Sequence, residues 1–152
     1  MNGISRRILA IGCAAALAAS FALAGCAGGG GAVSYKDGTY TGQSEVYEDS
    51  DDGNGNGYGV ATVTIKDGAI TDCTFETYEL DGNKKDENYG VSLSGNQNKY
   101  TKAQNAVKAC PEYAKALVEA GSLDGVDTIS GATVNYDQFC EAVDDALAQA
   151  RA

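Results

Sequence analysis

Apolar and polar residues alternate along two neighbouring segments in the middle of the chain. In residues 58–66, Ala61, Val63 and Ile65 occupy every second position, which is the spacing of one face of a β-strand. Residues 69–78 are also rich in β-forming side chains, and only an Asp-Gly pair separates the two segments. Because Asp-Gly favours the type I′ turn, the pattern predicts a β-hairpin.

The return strand of this hairpin carries Cys73 and Phe75, which we expect to lie opposite the apolar face of the first strand. A further β segment is predicted from Gly38 to about Tyr47. Together these segments predict a small antiparallel sheet.

Helical patterns fill most of the second half of the chain. Residues 101–110 and 111–120 read as two short helices, with Pro111 in the first turn of the second and Gly121 as its C-cap. Residues 80–98 are polar and are predicted to form a loop. A final helix is predicted from apolar residues at helical spacing, namely Tyr136, Phe139, Cys140, Val143 and Leu147. The predicted fold class is therefore α+β, a small antiparallel sheet packed with helices.

The N-terminus has the organisation of an export signal. Two arginines precede apolar residues 8–22, and Cys26 follows Leu-Ala-Gly, which resembles a bacterial lipobox. This resemblance implies a lipoprotein signal peptide (1–25), lipid attachment at Cys26, a Gly-rich linker (26–34) and one folded domain (35–152). An ordinary signal peptide with a free Cys26 thiol, or twin-arginine export, are the alternatives.

The charge balance bears on the partners that the domain can have. Residues 26–152 keep all 21 acidic residues and nine of the 11 basic ones, so their net charge is −12. Such a surface disfavours nucleic acid and anionic lipid headgroups, apart from the lipid anchor. The expected location, which follows from the export signal and the lipid anchor, is the outer, extracytosolic face of the cell membrane.

The chain contains no histidine, which leaves few candidates for a zinc or haem site. Asp52, Asn54, Asn56 and Gly57 match the first half of a calcium-binding loop, but Val63 stands where a bidentate Glu is needed. A solvated acidic turn is the favoured interpretation, and no metal site is predicted.

Three cysteines remain in the predicted domain, namely Cys73, Cys110 and Cys140. One pair could form a disulfide outside the cytoplasm, although the sequence does not select the pair. The favoured interpretation is three small buried apolar residues, because free Cys is among the most buried residue types.

One short segment carries the most specific chemical signal of the chain, Asp127-Thr128-Ile129-Ser130-Gly131-Ala132-Thr133. Thr133 directly precedes the final predicted helix, so an anion bound to its hydroxyl would face free backbone N–H groups. Gly131 and Ala132 are small and would let a large group approach the backbone. The alternative is that Ser130 and Thr133 only turn the chain and cap the helix.

This segment fits the pattern Asp-x-x-Ser/Thr-Gly-Ala-Thr and resembles the covalent FMN-binding domain family, which includes flavin subunits of sodium-pumping and Rnf-type oxidoreductases. The resemblance implies that a flavin transferase joins FMN, through its phosphate, to Thr133. It also implies that Asp127 orders the loop and that Ser130 and Gly131 contact the phosphate. Ala132, which precedes the attachment point, belongs to the same cofactor-binding segment. Residues from about Tyr35 onward would form this domain.

The function implied by the resemblance is electron transfer outside the cytoplasm, with no catalytic residue of the chain itself. A membrane dehydrogenase or quinol-linked donor would supply electrons, and an extracellular acceptor or reductase would take them. Tyr58 and Tyr89 are candidates for stacking on the flavin. Two alternatives stay open: a flavin-free binding or structural lipoprotein, and a flavin-dependent reductase of a small acceptor. No Gly-x-Gly-x-x-Gly segment between a strand and a helix indicates an NAD(P)H site.

Overall fold

The computed structural model describes residues 33–48, 55–93 and 95–152. In these stretches the secondary structure comprises β1 (Gly38–Gln43), β2 (Tyr58–Lys66), β3 (Ala69–Tyr78), α1 (Gln97–Ala120) and α2 (Thr133–Ala150). Short 3-10 turns at Val91–Leu93 and Leu123–Gly125 lie on either side of α1. The strands form one antiparallel sheet in the order β1-β2-β3, and both long helices pack on it. The predicted α+β fold class is confirmed.

The central hairpin has the predicted bounds and register. Val63 lies opposite Cys73, and Ala61 lies opposite Phe75. Asp67 and Gly68 have φ values of 53° and 75°, the left-handed conformation that both central residues of a type I′ turn require. The local sequence therefore specified this hairpin correctly.

The first strand is shorter than predicted. It ends at Gln43 instead of continuing to about Tyr47, which forms only an isolated bridge with Gly57. The backbone N–H of Gln43 donates to Asp145 and that of Glu45 donates to Glu141, each at 3.0 Å. Carboxylates of α2 thus bind N–H groups at the end of β1 and just beyond it, while the N–H of Ser44 still donates to the carbonyl of Gly59 at 2.9 Å.

The two short helices predicted for residues 101–120 are one continuous helix, so that prediction was wrong. α1 begins at Gln97, inside the segment predicted to be a loop, and the side chain of Asn96 caps it by accepting from the N–H of Lys99 at 3.3 Å. Pro111 lies in its interior. Buried residues lie on both sides of the proline, Ala103, Ala109, Cys110, Tyr113, Ala114 and Leu117. Packing of this face overrides the local tendency of Pro to end a helix. The predicted C-cap at Gly121 is confirmed, with a φ of 74°.

The hydrophobic core lies between the sheet and the helices. Its largest fully buried side chains include Tyr113, Phe139, Leu117 and Val63, and the rings of Phe75 and Tyr113 both contact Phe139. Tyr136 and Cys140, which share the predicted helical face, are only partly buried.

Helix α2 approaches β1 very closely at Gly42. A methyl group at this position would lie 2.1 Å from the carbonyl oxygen of Ala142 and 2.4 Å from the backbone nitrogen of Ala146. Only a residue without a side chain permits this helix-to-strand distance.

The two ends of the described domain are joined by hydrogen bonds. The N–H of Lys36 donates to the carbonyl of Ala150 at 2.8 Å, and that of Ala152 donates to Ser34 at 3.1 Å. The predicted signal peptide, the lipidation site Cys26, and Asp52 and Asn54 of the acidic turn lie outside the described residues. No helix in the described stretches is long and apolar enough to cross a bilayer.

Candidate functional site

The segment singled out in the sequence forms a tight turn that leads directly into α2. The helix begins at Thr133 itself, which confirms that this threonine stands at a helix N-terminus. Gly131 has a φ of 82°, and the N–H of Ala132 donates to the carbonyl of Ile129 at 3.0 Å, which closes the turn. A φ in this range strains residues with a side chain, so the turn accounts for the glycine.

The side chain of Thr133 is exposed, and its hydroxyl makes no hydrogen bond within the described part of the chain. The N-cap position belongs to Ala132, and no side chain caps the helix. Helix capping therefore does not explain Ser130 or Thr133. The N–H groups of residues 133–135 have no partner within the helix, because the first donors of a helix lack a preceding carbonyl.

Two tyrosines, one in the core and one partly buried, hold the turn and the residue that precedes the motif. The hydroxyl of Tyr113 accepts from the N–H of Ile129 at 2.9 Å and donates to the carbonyl of Ala132 at 3.2 Å. The hydroxyl of Tyr136 donates to the carbonyl of Val126 at 3.0 Å. Tyr113 of α1 thus fixes the turn, and Tyr136 of α2 fixes the residue just before the motif; the motif contains neither tyrosine.

The remaining predicted site residues differ in their exposure to solvent. Asp127 and Ser130 are exposed, and their side chains make no hydrogen bond to the described residues. Ala132 is buried, at 2% exposure, while Gly131 has open space where a side chain would be. The roles that the family resemblance gives to Asp127 and Ser130 stay predictions.

A cavity of about 290 Å³ opens beside the turn. Its walls come from the turn and the start of α2, from α1, from β3 and from the segment that follows β3. The residues that line it include Thr77, Lys85, Tyr89, Lys102, Gly131 and Thr133. A larger groove of about 800 Å³ between β3 and α1 adjoins it and shares the walls at Thr77, Lys85 and Val107.

Lys85 is the unexpected residue of this cavity. It is only 6% exposed, and its Nζ atom donates to the carbonyl of Gly55 at 3.1 Å and lies 5.1 Å from the centre of the Tyr89 ring. In the described part of the chain, no carboxylate oxygen lies within ion-pair distance of that nitrogen. Burial lowers the pKa of Lys85 from its ordinary value to about 8.

The first turn of α2 is tied to α1 by Asn135. Its side-chain amide donates to the carbonyl of Ala106 at 3.1 Å and to the sulfur of Cys110 at 3.3 Å. Asn135 does not cap the helix but crosslinks the two helices that form the cavity walls. This contact also keeps the position of Thr133 fixed relative to α1.

The three cysteines of the domain are all free thiols. Cys73 and Cys110 are buried and Cys140 is partly buried, as the interpretation of small apolar residues predicted. Burial, with the nearby charge of Asp72, raises the pKa of Cys73 to about 12. These thiols are therefore poor nucleophiles, since the thiolate is the reactive form.

Of the two candidate stacking tyrosines, only Tyr89 lines the cavity. Tyr58 instead stacks on Tyr78, with ring centres 5.5 Å apart. The described residues contain no cluster of carboxylate or thiol groups arranged to hold a metal ion.

Sequence reasoning missed Lys85, Thr77 and Lys102 as cavity residues. Thr77 and Lys85 are buried, whereas Lys102 is exposed. No sequence signal distinguishes Lys85 from its neighbour Lys84, which is exposed and pairs with Glu76. The burial of one of two adjacent lysines is a property of the tertiary structure.

Comparisons with known proteins agree with the motif. The family model described as FMN-binding domain matches residues 55–148, more than half of the chain. A crystal structure of a Clostridium perfringens protein aligns over 76% of this chain and 88% of that chain, with 25% identity and a TM-score of 0.55. A solution NMR structure of a Clostridium thermocellum protein aligns over 73% and 92%, with 20% identity and a TM-score of 0.38. No curated protein matches.

Proposed function

The chain belongs to the FMN-binding domain family, and from that membership we propose that it carries FMN covalently on Thr133 and transfers electrons outside the cytoplasm. Flavin binding follows from the family; the covalent bond, the electron-transfer role and the location are the proposal. The exposed and unpartnered hydroxyl of Thr133 at the N-terminus of α2 is the observation that carries it.

The surroundings of Thr133 suit a phosphodiester. The hydroxyl stands at the start of an 18-residue helix, where unpaired N–H groups and the helix dipole stabilise negative charge. Gly131 leaves open space on one side, and the cationic side chain of Lys102 lines the same cavity. A phosphate at this position would therefore meet backbone donors and positive charge instead of the acidic surface found elsewhere.

The cavity offers walls that fit the rest of an FMN molecule. A volume of about 290 Å³ is at the lower end for ligand pockets, which span about 300–1,000 Å³. The adjoining groove provides further space along the same wall. The ring of Tyr89 offers an aromatic surface, and Lys85 offers a buried positive charge for a group that gains negative charge.

In the part of the chain that the structure describes, no residue is suited to activate the threonine. A Thr hydroxyl needs an adjacent base or metal to act as a nucleophile. The sequence has no histidine, and the described residues hold no hydrogen-bonded base next to Thr133. We therefore assign the coupling step to a separate flavin transferase, for which the exposed turn is the substrate.

When bound, FMN supplies the one- and two-electron chemistry, and the chain supplies attachment, orientation and electrostatics. We propose that a membrane dehydrogenase or quinol-linked donor delivers the electrons and that an extracellular acceptor or reductase removes them. The N-terminal export pattern and Cys26 support a lipid anchor at the outer face of the membrane.

The decisive test is the mass and colour of the protein coexpressed with a flavin transferase. The wild type should gain the mass of one FMN less one water and should stay yellow after denaturation. Thr133→Ala should lose both properties. Thr128→Ala is the matched control, since it removes an exposed hydroxyl of the same motif, and it should keep the flavin. A colourless wild type beside an active transferase would contradict the proposal.

A further inference from the structure

The ammonium group of Lys85 lies in a position that is unfavourable for the flavin-free protein. Burying a charged group is costly unless another charge or several hydrogen bonds compensate it. Among the described residues, the compensation amounts to the carbonyl of Gly55 at 3.1 Å and the face of Tyr89 at 5.1 Å. A neutral side chain of similar length would fill the same space at a lower free-energy cost. The stability of the fold therefore does not account for the charge of Lys85.

The ionisable groups around Lys85 do not neutralise it. In the described part of the chain, the carboxylate of Glu79, after β3, acts on it only at a distance, and Cys110, on α1, is a neutral thiol because burial raises its pKa. Asp86 and Glu87 line the adjoining groove, and Lys102 of α1 adds a second positive charge to the cavity. From α2, the cavity is lined only by uncharged residues, those at positions 133–135.

Lys85 and Thr133 belong to the same cavity but differ in exposure. Thr133 is exposed, whereas Lys85 is buried in the wall that the cavity shares with the larger groove. If FMN is bonded to Thr133 through its phosphate, its ring must lie in the rest of the cavity, away from Thr133. The phosphate already has the start of α2 at its attachment point, and the exposed Lys102 lines the same cavity. Lys85 is therefore available to the other end of the ligand.

We propose that the Lys85 ammonium stabilises the negative charge that the flavin ring gains on reduction, and so raises the reduction potential of this protein. The inference rests on the proposed function. In the step concerned, the oxidised ring takes two electrons from its donor and one proton from solvent, and is left with one negative charge. Lys85 is a positioning and electrostatic residue, since it exchanges no atom with the flavin. Charge near the flavin ring is an established means of tuning its redox properties.

The test compares midpoint potentials of flavin-loaded variants. The proteins are reduced with dithionite in the presence of a reference dye, after mass spectrometry has confirmed one FMN per chain. Lys85→Met should lower the two-electron midpoint by about 30 mV or more, which corresponds to a tenfold weaker preference for the reduced form. Lys85→Arg should retain most of the wild-type potential. Lys102→Gln is the matched control, because it removes the same charge from the same cavity at an exposed position, and it should shift the midpoint far less.

A second readout uses the wild type alone and does not depend on the variants folding. With carbon-13-labelled lysine, NMR should find one ammonium whose pKa is depressed in the flavin-free protein. That pKa should rise when the bound flavin is reduced, because an added negative charge favours the protonated amine. In the separate midpoint measurements, the potentials of the wild type and Lys85→Met should converge as the pH increases past this value.

Three results would overturn the inference: an unchanged midpoint in Lys85→Met, an equal shift in Lys102→Gln, or a lysine pKa that does not respond to flavin reduction. Each can be observed only in protein whose flavin mass is confirmed. The absence of that mass would instead count against the proposed function.

Discussion

The hydroxyl of Tyr113 donates a hydrogen bond of 3.2 Å to the carbonyl oxygen of Ala132, the residue that immediately precedes Thr133. The same hydroxyl accepts from the N–H of Ile129 at 2.9 Å. Tyr113 is only 1% exposed and belongs to the buried face of α1. One core side chain therefore connects both ends of the turn that presents the attachment threonine.

Removing this hydroxyl should loosen the turn while leaving the core ring in place. We expect Tyr113→Phe to lower the free energy of unfolding by about 1–3 kcal/mol, since it leaves the part-buried N–H of Ile129 without its partner, while the carbonyl of Ala132 still accepts from the N–H of Tyr136. The rate of FMN attachment should fall as well, because the turn would sample more conformations. Tyr136→Phe is the comparison, since its hydroxyl donates to Val126, which precedes the motif, and the structure gives it no bond to residues 129–132. Denaturant unfolding and the time course of flavin incorporation measure the two effects; equal incorporation rates for the two variants would contradict the role given to Tyr113.

Gly42 should tolerate no side chain. A methyl group there would overlap with the backbone of α2, so Gly42→Ala must separate β1 from the helix or distort one of them. We expect a loss of stability of at least about 1–3 kcal/mol, the usual cost of overpacking. Gly95→Ala provides the comparison, because no atom lies within 4 Å of the added carbon. Thermal unfolding of both variants checks the prediction, and a Gly42→Ala protein as stable as Gly95→Ala would show that the packing is looser than described.

The stability of the flavin-free protein should depend on pH through Lys85. Its pKa of about 8 in the folded protein lies below the ordinary value of 10.5, so the unfolded chain binds more protons between these two values. The free energy of unfolding contributed by this group should therefore rise across that window, by at most about 1.4 kcal/mol per pH unit, and stay constant below it.

Comparison with Lys85→Met isolates this contribution from the titration of tyrosines and cysteines, which both proteins share. Denaturant unfolding at neutral pH and near the upper end of the window should show the wild type gaining stability relative to the variant. A difference independent of pH would mean that Lys85 keeps an ordinary pKa in the folded protein.

The lipid anchor can be tested separately from the flavin. Cys26→Ser should abolish labelling by a radioactive or clickable fatty acid and should release the protein from membranes, because one residue would carry the whole anchor. The flavin content of the released protein should be unchanged. Retention in the membrane fraction after a high-salt wash would argue against a lipobox at Cys26.

The features that the sequence predicted correctly are set by interactions between residues that are close together in the chain. The hairpin follows from period-two alternation around Asp67 and Gly68, and the position of Thr133 follows from the apolar spacing of the helix behind it. The predicted break at Pro111 was wrong. Proline locally favours the start of a helix, but buried residues on both sides of it keep α1 continuous.

The cavity itself could not be predicted in this way. Lys85 and Tyr113 come into contact with the site only through the packing of α1 and the segment after β3, and their sequence neighbourhoods carry no sign of it. The motif identified the point of attachment, and the tertiary structure supplied the groups around it.

The hydrogen bonds that join residues 34–36 to residues 150–152 have a practical consequence for work on this protein. Because the two ends of the domain leave it at the same place, a reporter fused after Ala152 would begin beside the segment that leads back to the predicted anchor. If Cys26 carries the proposed lipid, such a fusion would compete for space with the membrane surface. A tag in the β2–β3 turn would avoid that crowding and leave both ends of the domain paired, at the cost of the 3.1 Å hydrogen bond from the N–H of Gly68 to the carboxylate of Asp37.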